Sequence, residues 1–292
     1  MEINHTPKSV QFDFLIEVRA SNPNGDKNAD NRPRIYPSSG RGYMSPECLK
    51  HKVRTVVGER HHGEEGMGVY YQTDTMLDDT TKVVKEGLIK SGVKNPTARE
   101  VGAALRAAYW DIRAFGAVVT SEAQKGTAGS LGSTTGCVAV SPAETCHPIQ
   151  PVRYTIVRCC RTKDDGGGPI GSKWVVPYAI YKASAVVTGV QAGANGFGPA
   201  DVDALEEGIL NMFDLDACAA RPYMRIACLV RTDFDTSYNP TQKRVSDNLH
   251  IALRPSVEQP ERMTDYDLWI DSQVPEGCRQ RVVFADKEVK LA

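Results

Sequence analysis

With 292 residues, 41% of them hydrophobic and 24% charged, the chain has the composition of a globular protein with a packed core, and 35 basic against 36 acidic residues argue against a bulk polycation that binds nucleic acid everywhere on its surface. No apolar run approaches the roughly 20 residues of a membrane span, and the opening MEINHTPKSVQFDF lacks the apolar core of a secretory signal. Eight cysteines in that context are expected as reduced thiols in a cytoplasm; there is no CxxC, Cys146-His147 has no partner at zinc-ligand spacing, and neither metal nor cofactor is expected.

Gln11 to Arg19 alternates apolar and polar residues, which puts Phe12, Phe14, Ile16 and Val18 on one face of a strand. A polar loop rich in Asn, Pro, Gly and Asp runs from Ser21 to Tyr43. Ser45-Pro46 reads as the N-cap and first residue of a helix to about Val57. Residues 58–71 read as an exposed excursion in which His61-His62 is solvated, and helical propensity returns from Thr80 to Lys90. Thr97 and Glu100 form a capping box that starts a helix to about Trp110. Ile112 to Thr120 reads as a buried strand, and the glycine-rich Gln124 to Pro148 as a loop or mobile lobe. Val152 to Arg161 and Trp174 to Thr188 read as strands, the second bent by Pro177, around a hairpin tip at Thr162 to Lys173. Pro199 to Phe213 presents Val202, Leu205, Ile209, Met212 and Phe213 on one helical face. Tyr223 to Arg231 is a further strand, and no clear period follows Phe234. The order fits a β-α-β-β-α-β unit with insertions in the α+β class; too few helices alternate with strands for a doubly wound sheet.

The chemistry-bearing motifs are mostly negative. GGGPIG at Gly166 to Gly171 matches a dinucleotide fingerprint in letters only, because the following WVVPYAIY is a strand rather than a helix. There is no GxxxxGK[ST] and no GxSxG. Charge, by contrast, is segregated. Arg32, Arg34, Arg41, Lys50, Lys52 and Arg54 face a single acid, Glu47, in their stretch, whereas Ala183 to Ala220 holds six acids and no Lys or Arg. Two readings stay open here: a functional division of the surface, or two solvated faces. Lys50 and Arg54 share a helical face and Lys52 looks elsewhere, so the helix suits phosphate binding or is a capped surface helix with solvated lysines.

Asn22 to Asp26 (NPNGD), the basic Arg32-Pro33-Arg34, the turn Gly40 to Gly42 and the helix bearing Lys50 to Arg54 together resemble the N-terminal hallmark of the Cascade backbone protein of type I CRISPR systems, in the RAMP superfamily and closest to the I-C and I-B branch. The resemblance continues in DIRAFGAV at Asp111 to Val118, in Val176-Pro177-Tyr178 with Tyr181, and in MFDLDACAARPYM at Met212 to Met224. It departs at Thr120 to Pro148, where the family's G-x-V-x-G-P-V-Q segment is not recognisable, and at Ser172, where the family has arginine.

The resemblance implies an RRM-like (ferredoxin-like) core in a single 292-residue unit, with an inserted helical finger lobe at 58–110 and a thumb tip at 162–173. It implies no catalytic residue, and RNA contacts at Asn22, Asn24, Arg32, Arg34, Arg41, Lys50, His51, Lys52, Arg54, Lys163 and Lys173. The implied partners are CRISPR RNA, target DNA through the guide, head-to-tail copies of the chain and other Cascade subunits, with no membrane. Two rivals remain. Relatives in type III complexes cut target RNA with a loop aspartate, a part that Asp26 or Asp30 would play. A general RRM module would need exposed aromatics on its central strands.

Overall fold

The computed structural model describes residues 8–118, 133–157, 170–238, 249–271, 274, 276–287 and 289. In chain order the elements are β1 (Val10–Ser21), β2 (Gly25–Asp26), β3 (Arg32–Pro33), β4 (Arg41–Met44), α1 (Pro46–Arg60), α2 (Leu77–Lys90), α3 (Ala98–Ala108), α4 (Trp110–Phe115), β5 (Gly116–Val118), β6 (Ser133–Thr135), β7 (Val138–Val140) and β8 (Ala143–Pro148). There follow β9 (Val152–Val157), β10 (Ile170–Val187), α5 (Gly189–Asn195), α6 (Pro199–Leu210), β11 (Met224–Phe234), β12 (Leu249–Leu253), β13 (Tyr266–Ile270) and β14 (Cys278–Ala285).

The main sheet runs β14-β11-β1-β10-β8-β4, with β7 beside the end of β10, and these pairings are antiparallel. β1 lies in its middle. Its even residues Phe12, Phe14, Ile16 and Val18 pack into the core that α1 and α6 close with Leu49, Val53, Val57, Leu205 and Ile209. The two helices approach closely: a Cβ on Gly208 would stand 2.8 Å from Val53 Cγ1. The other sheet face is also covered. Leu15, Tyr178, Ile180 and Val230 pack under the β12–β13 hairpin with Leu249, Met263, Tyr266 and Leu268. The polar residues of β1 are therefore buried and must find partners inside: Gln11 donates to Asp13 at 2.8 Å, and Glu17 accepts from Tyr178 at 2.7 Å. No described helix is long and apolar enough to cross a membrane.

Several expectations are corrected. The segment 112–120 is not one strand: α4 continues to Phe115 and only Gly116–Val118 is extended. Trp110, Asp111, Ile112, Arg113 and Ala114 are all buried, and a short helix buried on every side shows no amphipathic period to distinguish it from a strand. Of the glycine-rich 124–148, the described residues 133–148 carry β6, β7 and β8 instead of a loop. The stretch after Phe234 supplies β12, β13 and β14, the last an edge strand of the main sheet. The excursion 58–71 folds back: Met67, Val69 and Tyr70 are buried, and His61 bridges Glu64 at 2.9 Å and Glu207 at 3.2 Å, while His62 is exposed. α2 and α3 have their own small core, with Val101 and Leu105 against Tyr70 and Ile112. The expected hairpin tip lies outside the described residues from 162 to 169; below it, β9 pairs with Ile170 to Val175 of β10.

One contact that ties the covering hairpin to the sheet titrates. His147 of β8 donates from Nδ1 to Pro148 O and accepts at Nε2 from the Tyr266 hydroxyl, each at 2.7 Å. Burial holds its pKa below the usual 6.5. The unfolded chain then binds this proton more readily than the folded one. The contribution is complete above the unfolded pKa and is lost progressively as pH falls from there through the folded value. Wild-type melting temperature is expected to drop between about pH 7 and pH 5 with a component that His147→Gln removes, at most about 1.4 kcal/mol per pH unit. Parallel thermal melts across that range check this; an unchanged slope in the variant refutes it.

Candidate nucleic-acid interface

The N-P-N-G-D loop leaves β1 and is fixed by its own side chains. Asn22, 3% exposed, donates its backbone N–H to Ala220 O and its amide to Asn31 O, both at 2.7 Å. Asn24 Oδ1 accepts from Ser45 N at 2.9 Å, which ties the loop to the start of α1. Gly25 sits tightly against Asn31, since a Cβ there would lie 2.9 Å from the Asn31 backbone O as well as 2.0 Å from its Oδ1. Asp26 accepts from Asn28 N at 3.1 Å and pairs with Arg34 at 3.5 Å. Asp30 and Asn31 both adopt left-handed backbone, with φ of 51° and 55°. That turn carries Asp30 to the β9–β10 ribbon, where Trp174 Nε1 donates to it at 3.3 Å and Arg153 pairs with it at 3.4 Å. Arg32 lies over the Trp174 ring at 5.2 Å and Arg153 at 6.0 Å.

α1 begins with Ser45 accepting from Cys48 N at 3.3 Å. Of its cations, three are paired within the chain. Lys52 is 5% exposed, pairs with Asp216 and lies over Phe213. Arg54 has a side chain 15% exposed, sits between the Tyr71 and Phe115 rings at 5.1 and 4.9 Å, and pairs with the buried Asp111 at 2.9 Å. Arg60 pairs with Glu207 at 2.7 Å and Asp214 at 3.5 Å. The basic segment and the acidic segment that are separate in sequence thus meet in space, and part of the charge segregation is internal neutralisation. What α1 presents outward is His51, exposed, and Lys50, half-buried over Phe115 at 5.5 Å, its pKa lowered by burial and by nearby Arg54. His51 lines a 280 Å³ pocket with Arg54, His62, Tyr71 and Gln72.

Arg41 lies apart, at the sheet edge, with its guanidinium on Thr145 O and 3.8 Å from Glu144. Lys173 donates to Ala219 O at 3.3 Å, beside the segment that also holds Asn22. Lys163 lies outside the described residues. Asn24 ties the loop to the start of α1 and Asp30 ties it to the base of the ribbon, where Arg32, Arg153 and Trp174 cluster, while Lys50 and His51 lie further along α1 beside Phe115 and the His51 pocket. Sequence reading missed Trp174 and Arg153. The signal was available, since strands around a hairpin pair antiparallel and these two residues are direct cross-strand neighbours. The aromatics Phe12 and Phe14, by contrast, face the helices at 0% and 1% exposure, and β12–β13 covers the opposite sheet face, so stacking of bases on open strands is not available here.

The fold is a mixed α and β protein on a central antiparallel sheet, with a cation-bearing loop packed against an aromatic-bearing ribbon. The chain belongs to the family of the CRISPR-associated protein Cas7, whose model matches residues 8–271. A curated relative, the CRISPR-associated protein Cas7 of Haloferax volcanii, is 30% identical over 115 residues, which is 38% of this chain and 32% of the relative, so the match spans under half of either protein. Among solved structures, a chain of a CRISPR RNA-guided surveillance complex described as pre-nicking superposes with a TM-score of 0.50 at 12% identity, covering 77% of this chain and 75% of that one. A chain of another CRISPR RNA-guided surveillance complex gives 0.45 at 12% identity, over 77% and 68%. At that identity the first likeness concerns the fold alone.

Proposed function

We propose that this chain is a non-catalytic CRISPR RNA-binding backbone subunit of a type I surveillance complex, of the I-C branch, acting in the cytoplasm. The family match over residues 8–271 carries this reading. Strand order supports an RRM-like core: β1, α1, β7–β8, β10, α6 and β11 follow β-α-β-β-α-β, with neighbours β11-β1-β10-β8 and both helices on one face. On this reading α2 and α3 with the loop before them are the finger lobe of 58–110, and the β9–β10 ribbon is the stem of the thumb at 162–173. Copies assemble head to tail along one guide, beside other Cascade subunits, and target DNA is read through base pairing while the protein holds backbone shape.

Among the residues that the resemblance assigns to RNA, Lys50, His51, Arg32 and Lys173 are the contacts we propose, with Arg153 and Trp174 added. Asn22, Asn24, Arg34, Lys52 and Arg54 are proposed to shape the surface through their internal partners. Asp26 and Asp30, the aspartates a cutting relative would use, are each held by a cation, which supports a positioning role.

Replacing Arg32 and Lys50 together by Ala should weaken guide-RNA binding equally for unrelated spacer sequences and lower the salt slope by about two. Filter binding across a salt series checks this. Loss confined to some spacers, or cleavage of any strand in magnesium or manganese, would sink the reading.

A further inference from the structure

The ion pairs around the N-P-N-G-D loop and α1 fall into two kinds. Lys52 and Arg54 meet Asp216 and Asp111 inside the protein, with side chains at most 17% exposed, where an anion from solvent does not reach. The pair of Asp30 with Arg153 is of the other kind. Its side chains are 66% and 56% exposed and stand 3.4 Å apart. The same oxygen, Asp30 Oδ2, accepts from Trp174 Nε1 at 3.3 Å. Both distances are long, since a charge-assisted hydrogen bond closes to about 2.7–2.9 Å. Arg153 also donates to Ser172 Oγ at 3.0 Å, which keeps it beside its register partner Trp174 without help from Asp30. The Arg32 guanidinium lies over the same indole at 5.2 Å. Two guanidinium groups and an indole N–H thus converge where one loosely held carboxylate oxygen serves them.

We propose that the Asp30 carboxylate occupies the place of an RNA phosphodiester at the base of the ribbon, and that RNA displaces it. The phosphate takes the Arg153 guanidinium and the Trp174 N–H, and Asp30 turns to solvent. This rests on the guide-RNA reading above and adds that one acid of the loop acts against binding. A phosphodiester brings two equivalent oxygens against the single one that Asp30 offers, and the guanidinium fork matches phosphate as well as carboxylate. The left-handed backbone at Asp30 and Asn31 aims the carboxylate at the ribbon, so withdrawing it takes a side-chain rotation and leaves the turn in place. The buried pairs of α1 have no such exchange open to them, because removing either partner strands a charge inside the protein.

The test is filter binding of guide RNA by the full chain across a salt series. Asp30→Asn is expected to bind about two- to fivefold tighter, the worth of an exposed ion pair that no longer has to open. Its salt slope should steepen by up to about one, because no released carboxylate takes up a counterion. Arg153→Ala should then cost more affinity in the Asp30→Asn background than in the wild type. Asp30→Gly, which suits the left-handed backbone, is the second variant if Asp30→Asn folds poorly in thermal melts. Asp267→Asn is the control for bulk charge, since Asp267 pairs with Arg254 at 3.0 Å on the covering hairpin. Equal or weaker binding by the Asp30 variants overturns the proposal and leaves Asp30 a fastening of the ribbon. An equal gain from Asp267→Asn also overturns it, as does a labelled glutamate-repeat peptide that gains from Asp30→Asn where RNA does not, which would give the site to an acidic protein. If wild-type protein binds no guide RNA, the wider reading falls and this site with it; if it binds and only the gain is missing, the site alone falls.

Discussion

Asp111→Ala is expected to cost about 3–5 kcal/mol of folding stability, the range found when one partner of a buried, hydrogen-bonded charge network is removed. Asp111 is fully buried, and its carboxylate accepts from Tyr70 N at 2.7 Å, Tyr71 N at 3.2 Å and Arg54 Nε at 2.9 Å. Truncation leaves two backbone donors without an acceptor, each costing about 1–3 kcal/mol, and a mostly buried guanidinium without a counterion. Asp111→Asn keeps the shape and part of the acceptor set and should lie between the two. Urea unfolding of the three proteins measures this; a loss under about 1 kcal/mol for Ala would mean water replaces the carboxylate at no cost. The same geometry warns about α1. Removing Arg54 strands Asp111, so weaker RNA binding by an Arg54 variant has to be separated from lost stability before it counts as a lost contact.

Gly116→Ala is the second large effect, at least about 3 kcal/mol. Gly116 ends α4 with φ of 80° and ψ of 169°, a region essentially reserved for glycine, where strain alone costs about 1–3 kcal/mol. A Cβ there would also stand 2.3 Å from Thr134 O and 2.7 Å from Gly136 N. Both are backbone atoms, so relief requires parting β5 from β6, and overpacking adds about 1–3 kcal/mol. Gly87 is the control. It lies inside exposed α2, where an added Cβ would meet nothing within 4 Å, and Gly87→Ala should stabilise by about 1 kcal/mol. Thermal melts of both variants give the comparison; equal shifts would show that the α4–β5 junction relaxes freely.

These two positions give the D-x-R-x-F-G-A resemblance a physical meaning. Asp111 anchors the excursion before α2, and Arg113 pairs with Asp201 while donating to Gly66 O, Arg106 O and Ala107 O. Phe115 lies under Lys50 and Arg54, and Gly116 allows the strand to pass Gly136. The letters were legible, but their role as internal fastenings was not, because it depends on residues as distant as Asp201. Elements whose signals are local were read well: the Ser45 cap and the Thr97–Glu100 box stand as expected, as do Val202, Leu205 and Ile209 on the buried face of α6, although the helix ends at Leu210 and Met212 and Phe213 are buried in the turn beyond it. The errors fall where a tertiary partner decides. β6 and β7 are three residues each and hold because β5 and β10 pair with them. β14 exposes Val282 and Phe284 and carries little alternation of its own; β11 fixes it. The sequence left the basic run open between a functional surface and solvated faces, and only the fold shows that Lys52 and Arg54 point at acids.

The central place of β1 sets a schedule for synthesis. Its two sheet neighbours are β10 and β11, which pair with it from Val176 to Val187 and from Met224 to Asp233. A ribosome adding about 5–20 residues per second needs on the order of 10–40 seconds to travel the roughly 200 residues from the end of β1 to the start of β11. Throughout that interval a strand whose Phe12, Phe14, Leu15, Ile16 and Val18 are all buried in the finished fold has at best one of its two edges filled. Its own Gln11, Asp13 and Glu17, polar residues that the finished sheet must bury and pair, then break the run of hydrophobic side chains. They act as the gatekeepers that keep such a strand from pairing with the wrong chain before its proper neighbours emerge.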